Sequence, residues 1–226
     1  MAFFTQDYLD FFQELSENNH KDWFDINRKR YEKSVKKPFN AFVTHMIELI
    51  QIEDSTVQVE AKHCLFRINR DIRFSKDKTP YKVQMSAAIS RNGRKEMGIP
   101  GLYFHLGNNG VGVFGGCYNP EKAMLADIRY YIADNQAEFK KVISNKAFKN
   151  KWGELEGAKN KIIHKDLKEP AAEQPLIMNK QFYYAAQIPK PNILDDDLDT
   201  QILAYFKASE SVRVFLTKAI GAWVEV

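Results

Sequence analysis

Tyr81-Lys82-Val83-Gln84-Met85-Ser86-Ala87-Ala88-Ile89-Ser90 is the stretch that decides the fold. Tyr81, Val83, Met85, Ala87 and Ile89 occupy one phase, and Lys82, Gln84, Ser86, Ala88 and Ser90 the other. A period of two with one apolar phase predicts a β-strand with one buried face. Asn92-Gly93 follows as a turn signal. Leu102, Phe104 and Leu106 then alternate with Tyr103 and His105, which predicts a second strand. Asn108-Asn109-Gly110 turns the chain, and 111–117 reads as a third strand. Consecutive strands joined by short turns predict an antiparallel sheet over 81–90, 101–107 and 110–118.

Upstream of residue 80 the period is helical. Tyr8, Phe11, Phe12 and Leu15 share one face of a first helix that Thr5 can cap, and Asn19 can cap a second carrying Trp23, Ile26, Arg30 and Tyr31. Pro38 suits the first turn of a third, with Phe39, Phe42, Val43, Met46, Ile47 and Ile50 as its apolar stripe. Downstream, Asn119-Pro120-Glu121 predicts a helix start, 139–152 reads as helical and the polar 157–181, with Pro170 and Pro175, as a surface loop. Phe182–Ile188 suits a strand. Residues 198–220 read as closing helices, opened by Asp195-Asp196-Asp197. The expected architecture is a single α+β domain over 1–226, an antiparallel sheet flanked by N-terminal and C-terminal helices. Its expected core includes Tyr81, Val83, Met85, Phe104, Leu106, Phe42 and Ile47.

Composition narrows the functional classes. Apolar residues at 44% and charged residues at 27% are globular proportions, which argues against disorder. The longest apolar stretch, 39–52, is broken by Asn40, Thr44, His45, Glu48 and Gln51, so no membrane span is expected. No basic, then apolar, leader opens the chain, and the two cysteines, Cys64 and Cys117, form no disulfide framework. A cytoplasmic protein is expected.

Charge is concentrated rather than spread. Residues 67–82 hold Arg67, Arg70, Arg73, Lys76, Lys78 and Lys82 against Asp71 and Asp77, so the whole net charge of +4 sits there while the other bases and acids balance. Arginine presents a planar fork that suits phosphate or carboxylate. Thr79-Pro80 resists a continuing helix, which places the segment on a loop. Arg67, Arg70, Asp71, Arg73, Lys76 and Lys78 are the candidate ligand-binding residues, with a small anionic ligand as partner. Asp71, between Arg70 and Arg73, suits orienting arginine better than donating a proton. The competing account pairs these arginines with acids elsewhere, among them Glu14, Glu17, Asp22, Glu32 and 195–197. A third reading makes the same stretch a phosphate track for nucleic acid.

Other motifs carry less. Gly110-x-Gly112-x-x-Gly115 has the string of a dinucleotide fingerprint but lies inside a predicted strand, with no helix following at once. Glycines that let backbone or ligand approach the sheet fit better. His63, Cys64, His105 and Cys117 lack paired metal-ligand spacing, and no nucleophile elbow or Walker loop occurs. Neither a metal nor a cofactor is expected, and no catalytic residue can be assigned.

Three segments resemble a family of uncharacterised proteins from bacteria and fungi. They are Tyr8-x-x-Phe11-Phe12-x-x-Leu15-x-x-Asn18-Asn19 with Trp23-Phe24 and Tyr31, the block Arg67-Ile68-Asn69-Arg70-Asp71-Ile72-Arg73-Phe74-Ser75-Lys76-Asp77-Lys78-Thr79-Pro80-Tyr81-Lys82, and Tyr103-Phe104 with Gly115-Gly116-x-Tyr118-x-Pro120, Leu125 and Ile128-Arg129. The resemblance implies an α+β fold and marks the central block as a site, without implying a reaction. The chain departs from the family pattern at 167–175, where a Pro-Lys-Gly type turn and an Asp-His-Pro would be expected.

Overall fold

The computed structural model describes residues 2–95 and 97–221. Its sheet comprises β1 (Gln84–Ile89), β2 (Gly101–Gly107), β3 (Gly110–Cys117) and β4 (Phe182–Ile188), in that order, every neighbouring pair antiparallel. The register sets Ala87 opposite Phe104 and Phe104 opposite Val113, so the apolar phases of successive strands form one buried face.

Helices from both ends of the chain cover that face. Lys37–Glu53 turns Phe39, Phe42, Val43, Met46, Ile47 and Ile50 inward. The Phe42 ring meets Phe104 edge-on at 5.7 Å. Gln6–Glu17 buries Tyr8, Leu9, Phe11, Phe12 and Leu15, and the Tyr8 hydroxyl donates to the Leu106 carbonyl at 3.0 Å. From the C-terminal half, Phe148 and Trp152 pack edge-on against Tyr184 of β4. One cluster of buried side chains runs from Phe4 to Ala219. At about 1.5–3 kcal/mol for each large apolar side chain withdrawn from water, this face is the main source of stability. The end helices are also tied by charge. Buried Arg213 pairs with Asp54 at the end of Lys37–Glu53, and His45 meets Asp199 at 2.8 Å.

The structure departs from the sequence reading in identifiable places. β1 begins at Gln84 rather than 81, because Tyr81 leaves the sheet to bridge Asn69. Val83 is consequently half-buried and outside the core, its carbonyl accepting from the Asn108 amide at 3.1 Å. The other six expected core residues are buried. His20, not Asn19, caps the second helix, and the Thr5 side chain makes no capping bond. The helix expected to start at Asn119-Pro120 starts at Lys122. Lys37–Glu53 is entered through a π-helical stretch, Tyr31–Lys36, so Pro38 lies just inside a continuing spiral. Residues 157–181 are not a plain loop. They include the helix Lys168–Glu173 and single turns that bury Leu167, Ala171 and Ile177.

Candidate functional site

The basic segment folds into a clasp. At its root, the Arg70 amide donates to the Pro80 carbonyl at 2.9 Å and the Lys82 amide to the Ile68 carbonyl at 2.8 Å. Asn19, displaced from its expected capping role, grips Tyr81 instead: its Nδ2 donates to the Tyr81 carbonyl at 3.0 Å and its Oδ1 accepts from the Tyr81 amide at 3.1 Å. The Tyr81 ring stacks on Phe24 at 4.1 Å and 15°. The root is thus fixed to the helical layer while 71–79 project from it.

The candidate residues divide by role. Arg70 braces the clasp from within, donating to Asp77, Thr79 and Ser75. Asp77 also accepts from the Thr79 amide and hydroxyl, at 2.9 Å each. These amide, guanidinium and hydroxyl donors hold its carboxyl well below the ordinary range, at about 2. Asp71 and Arg73 form an exposed fork with Nη2–Oδ2 at 2.7 Å, and Arg73 keeps the Asp71 carboxyl low. Lys78 donates to the Ile72 carbonyl at 2.9 Å. Arg67 and Lys76 are exposed and make no hydrogen bond or ion pair among the described residues, although the charge of Arg67 helps to hold the Asp71 carboxyl low. The distant acids serve elsewhere: Glu14 holds Arg30, Glu32 holds Lys36, and Asp195 and Asp197 accept from Gln201. The brace inside the clasp is thus made by the segment's own residues.

Two concavities flank the root. A groove of about 430 Å³ includes Arg28, Lys36, Lys62, Arg67 and Arg94 over an apolar floor containing Phe24, Tyr81 and Met85, and three of these cations are already paired, Arg28 with Asp25, Lys36 with Glu32 and Lys62 with Glu60. The second concavity, about 400 Å³, lies against the sheet face opposite the core. Strand alternation builds it. The phase that hides Phe104 exposes Tyr103 and His105, and the phase that hides Val113 exposes Phe114. Tyr103 meets Phe114 at 5.5 Å, His105 meets Phe114 at 5.7 Å, and Phe66 meets Tyr103 at 5.9 Å. Tyr118 and Tyr183 line the same space. Gly112 is required beneath this floor, since a Cβ there would stand 2.3 Å from His105 Cε1. Gly116, also lining the cavity, holds φ at +88°, which glycine alone adopts readily.

Among the described residues, the charges in this cavity are unbalanced. Lys82 reaches into it with Nζ 5.4 Å from the Phe66 centroid, and no carboxylate among the described residues pairs with it. Burial, with Arg67 nearby, pushes its pKa down. Burial likewise lowers His105, which favours the neutral ring, and raises the Tyr103 phenol, an effect offset in part by Ser86 and Gln84. The space thus offers aromatic surface, a neutral imidazole, a phenol and an ammonium without a carboxylate partner among the described residues. Such a combination fits a planar ligand with a negative group.

Sequence reasoning placed Lys82 in the basic segment but nominated none of the rings around it. The available signal was an aromatic side chain at each outward position from Tyr103 to Phe114 that is not glycine, where a solvated face would carry polar groups. Among the described residues no three His, Cys, Asp or Glu side chains converge as a metal site. Cys64 and Cys117 are buried and free, the thiol of Cys64 pushed up to about 11 by desolvation. None of the described helices is long and apolar enough to cross a membrane. The dinucleotide string lies in β3, and the next helix begins only at Lys122.

The chain belongs to the conserved hypothetical protein family DUF2461, whose profile matches residues 7–215. No curated protein and no solved structure matches it.

Proposed function

We propose that this family member binds a small anionic ligand, a carboxylate or phosphate with a planar apolar body, in the cavity on the open face of the sheet. The observation that carries the reading is Lys82, a half-buried ammonium without a carboxylate partner among the described residues, set among aromatic rings. A buried cation left unpaired is costly, and an incoming anion relieves that cost. The rings of Tyr103, Phe114 and Phe66 receive the planar body, and the neutral His105 supplies one hydrogen-bond donor or acceptor. Lys82 ends the basic segment, so this reading keeps an anion at that segment but seats it at the root.

Fluorescence titration with anilinonaphthalene sulfonate, beside its uncharged analogue N-phenylnaphthylamine, tests the assignment. A charged hydrogen bond is worth about 1.5–3 kcal/mol, so Lys82→Met should weaken the sulfonate by about tenfold or more and leave the neutral probe nearly unchanged. Affinity for the sulfonate should also fall as pH rises through the lowered pKa of Lys82, below the ordinary 10.5. Equal loss of both probes, or no difference between parent and variant, would overturn it.

A further inference from the structure

The clasp spends its polar side chains on its own shape and leaves its largest apolar side chain in water. Phe74 is 95% exposed, the most exposed of the large hydrophobic residues among those described. The loop that carries it is not slack, because Arg70, Asp77, Thr79 and Ser75 cross-link its interior, and Asn19 and Phe24 hold its root. Arg73 lies 5.9 Å from the Phe74 ring centroid, a weak contact at an exposed site that leaves the ring uncovered. Holding an exposed aromatic ring on a rigid loop costs entropy in advance, and a bound partner recovers that cost.

The surroundings select the partner. Arg67 and Lys76, both exposed and without a hydrogen bond or ion pair among the described residues, stand at the root and the tip. Arg67, Ile68, Asn69 and Tyr81 line the basic groove, and these residues also open and close the clasp, so the groove begins where the clasp begins. The net charge of the protein is concentrated in this segment. We propose that clasp and groove together bind single-stranded nucleic acid, Phe74 stacking on an unpaired base while Arg67 and Lys76 meet phosphates, and Arg28, Lys36 and Lys62, in exposed pairs that contribute little on their own, exchange carboxylate for phosphate along the groove. A ring face together with a basic channel is the general means of holding a single strand, since every base offers a π-face and the backbone supplies the charge. A duplex keeps its bases stacked on one another and offers Phe74 no face. A bilayer would gain one fully exposed aromatic side chain among the described residues and could not follow the concave groove.

The test is fluorescence anisotropy with an end-labelled oligothymidylate of about twelve nucleotides, a site size typical of single-strand binders. The full chain is titrated at about 50 and about 200 mM salt. Affinity should fall steeply with salt. Phe74→Ala should weaken binding about tenfold, the loss of one base–aromatic stack, with an unchanged melting temperature. Arg67→Gln should weaken binding and lower the salt slope by about 0.7, the single-strand value for one phosphate contact. Phe74→Ala binding like the parent, tighter binding to the duplex of the same length, salt-independent binding, or association only with phosphatidylserine vesicles would each overturn the proposal.

Discussion

The cavity and the clasp each set a cation against an aromatic ring, and they do so under opposite conditions. In the cavity, Lys82 lies over Phe66, and withdrawal from water pushes its pKa down. In the clasp, Arg73 lies over Phe74 in full solvent, and the Asp71 carboxylate raises its pKa. Among the described residues, one cation is short of negative charge and the other already has it. The shapes are also made differently. Rings packed against rings, over glycine, form the cavity, whereas hydrogen bonds among Arg70, Asp77, Thr79 and Lys78 form the clasp. The difference teaches that the same pair of residue types can create a demand for a ligand or serve as part of a rigid display, depending on which group is desolvated.

The largest effect that bears on this contrast is a comparison of phenylalanines. Phe42, fully buried against Phe104, anchors the sheet that carries both regions. Phe42→Ala should cost about 3–5 kcal/mol in chemical denaturation, through lost transfer energy and a cavity. Phe74→Ala, at the exposed tip, should change stability by no more than about 0.5 kcal/mol. A large loss at Phe74 would mean that the clasp folds back on the body and is no display.

Filling the cavity from below is the next test. Gly112→Val would place a Cβ where the His105 ring now lies, and that ring is confined by Tyr103 and Phe114. Overpacking of this kind costs about 1–3 kcal/mol. The variant should lose affinity for anilinonaphthalene sulfonate and keep oligothymidylate binding at the clasp. Loss of both activities in a folded variant would show that the two regions are one site.

Much of this arrangement is legible in the residues. The alternation of Met85, Ala87, Phe104 and Leu106 carries the sheet and its buried face, and the stripe from Phe39 to Ile50 carries the helix on it. The concentration of charge at 67–82 locates the clasp. What stays illegible is where polar groups find their partners. Asn19 reads as a helix cap because it precedes a helix, yet it serves Tyr81, 62 residues away. Tyr81 and Val83 continue the strand pattern, yet the strand starts later because Asn69 competes for Tyr81. Arg70 and Arg73 look equivalent at a spacing of three, yet one is a brace and the other an exposed fork. Periodicity reports which face is buried, whereas pairing depends on loop closure in three dimensions.

Acidification should separate the regions. The folded pKa of His105 lies below 6.5, so the unfolded chain binds that proton first. Its contribution to stability is full above about 6.5 and is lost as pH falls through the lower folded value. Asp77 has a folded pKa of about 2 against an ordinary 3.8, so its contribution is full above 3.8 and lost as pH falls through about 2. In an NMR pH titration the His105 ring should therefore respond well before the Thr79 amide, which donates to Asp77. Coincident titrations, or a His105 midpoint above 6.5, would contradict the assigned environments.

The smallest expected effect falls on the exposed fork. Asp71 accepts from Arg73 Nε at 3.0 Å and Nη2 at 2.7 Å, with the side chains 46% and 76% exposed. Water can replace every one of those bonds, and exposed pairs of this kind contribute little to folding. Asp71→Asn should accordingly leave the melting temperature within error. It should nevertheless change binding in a direction that a purely structural clasp would not. Removing one of the two acids in the segment raises its positive charge and releases Arg73 for phosphate, so oligothymidylate affinity should rise, with a steeper dependence on salt. The cavity, reached by Lys82 and lined without Asp71, should bind anilinonaphthalene sulfonate as before. A fall in melting temperature with no gain in oligonucleotide affinity would place Asp71 beside Asp77 as part of the brace. The clasp would then be a structural element with an incidental surplus of charge.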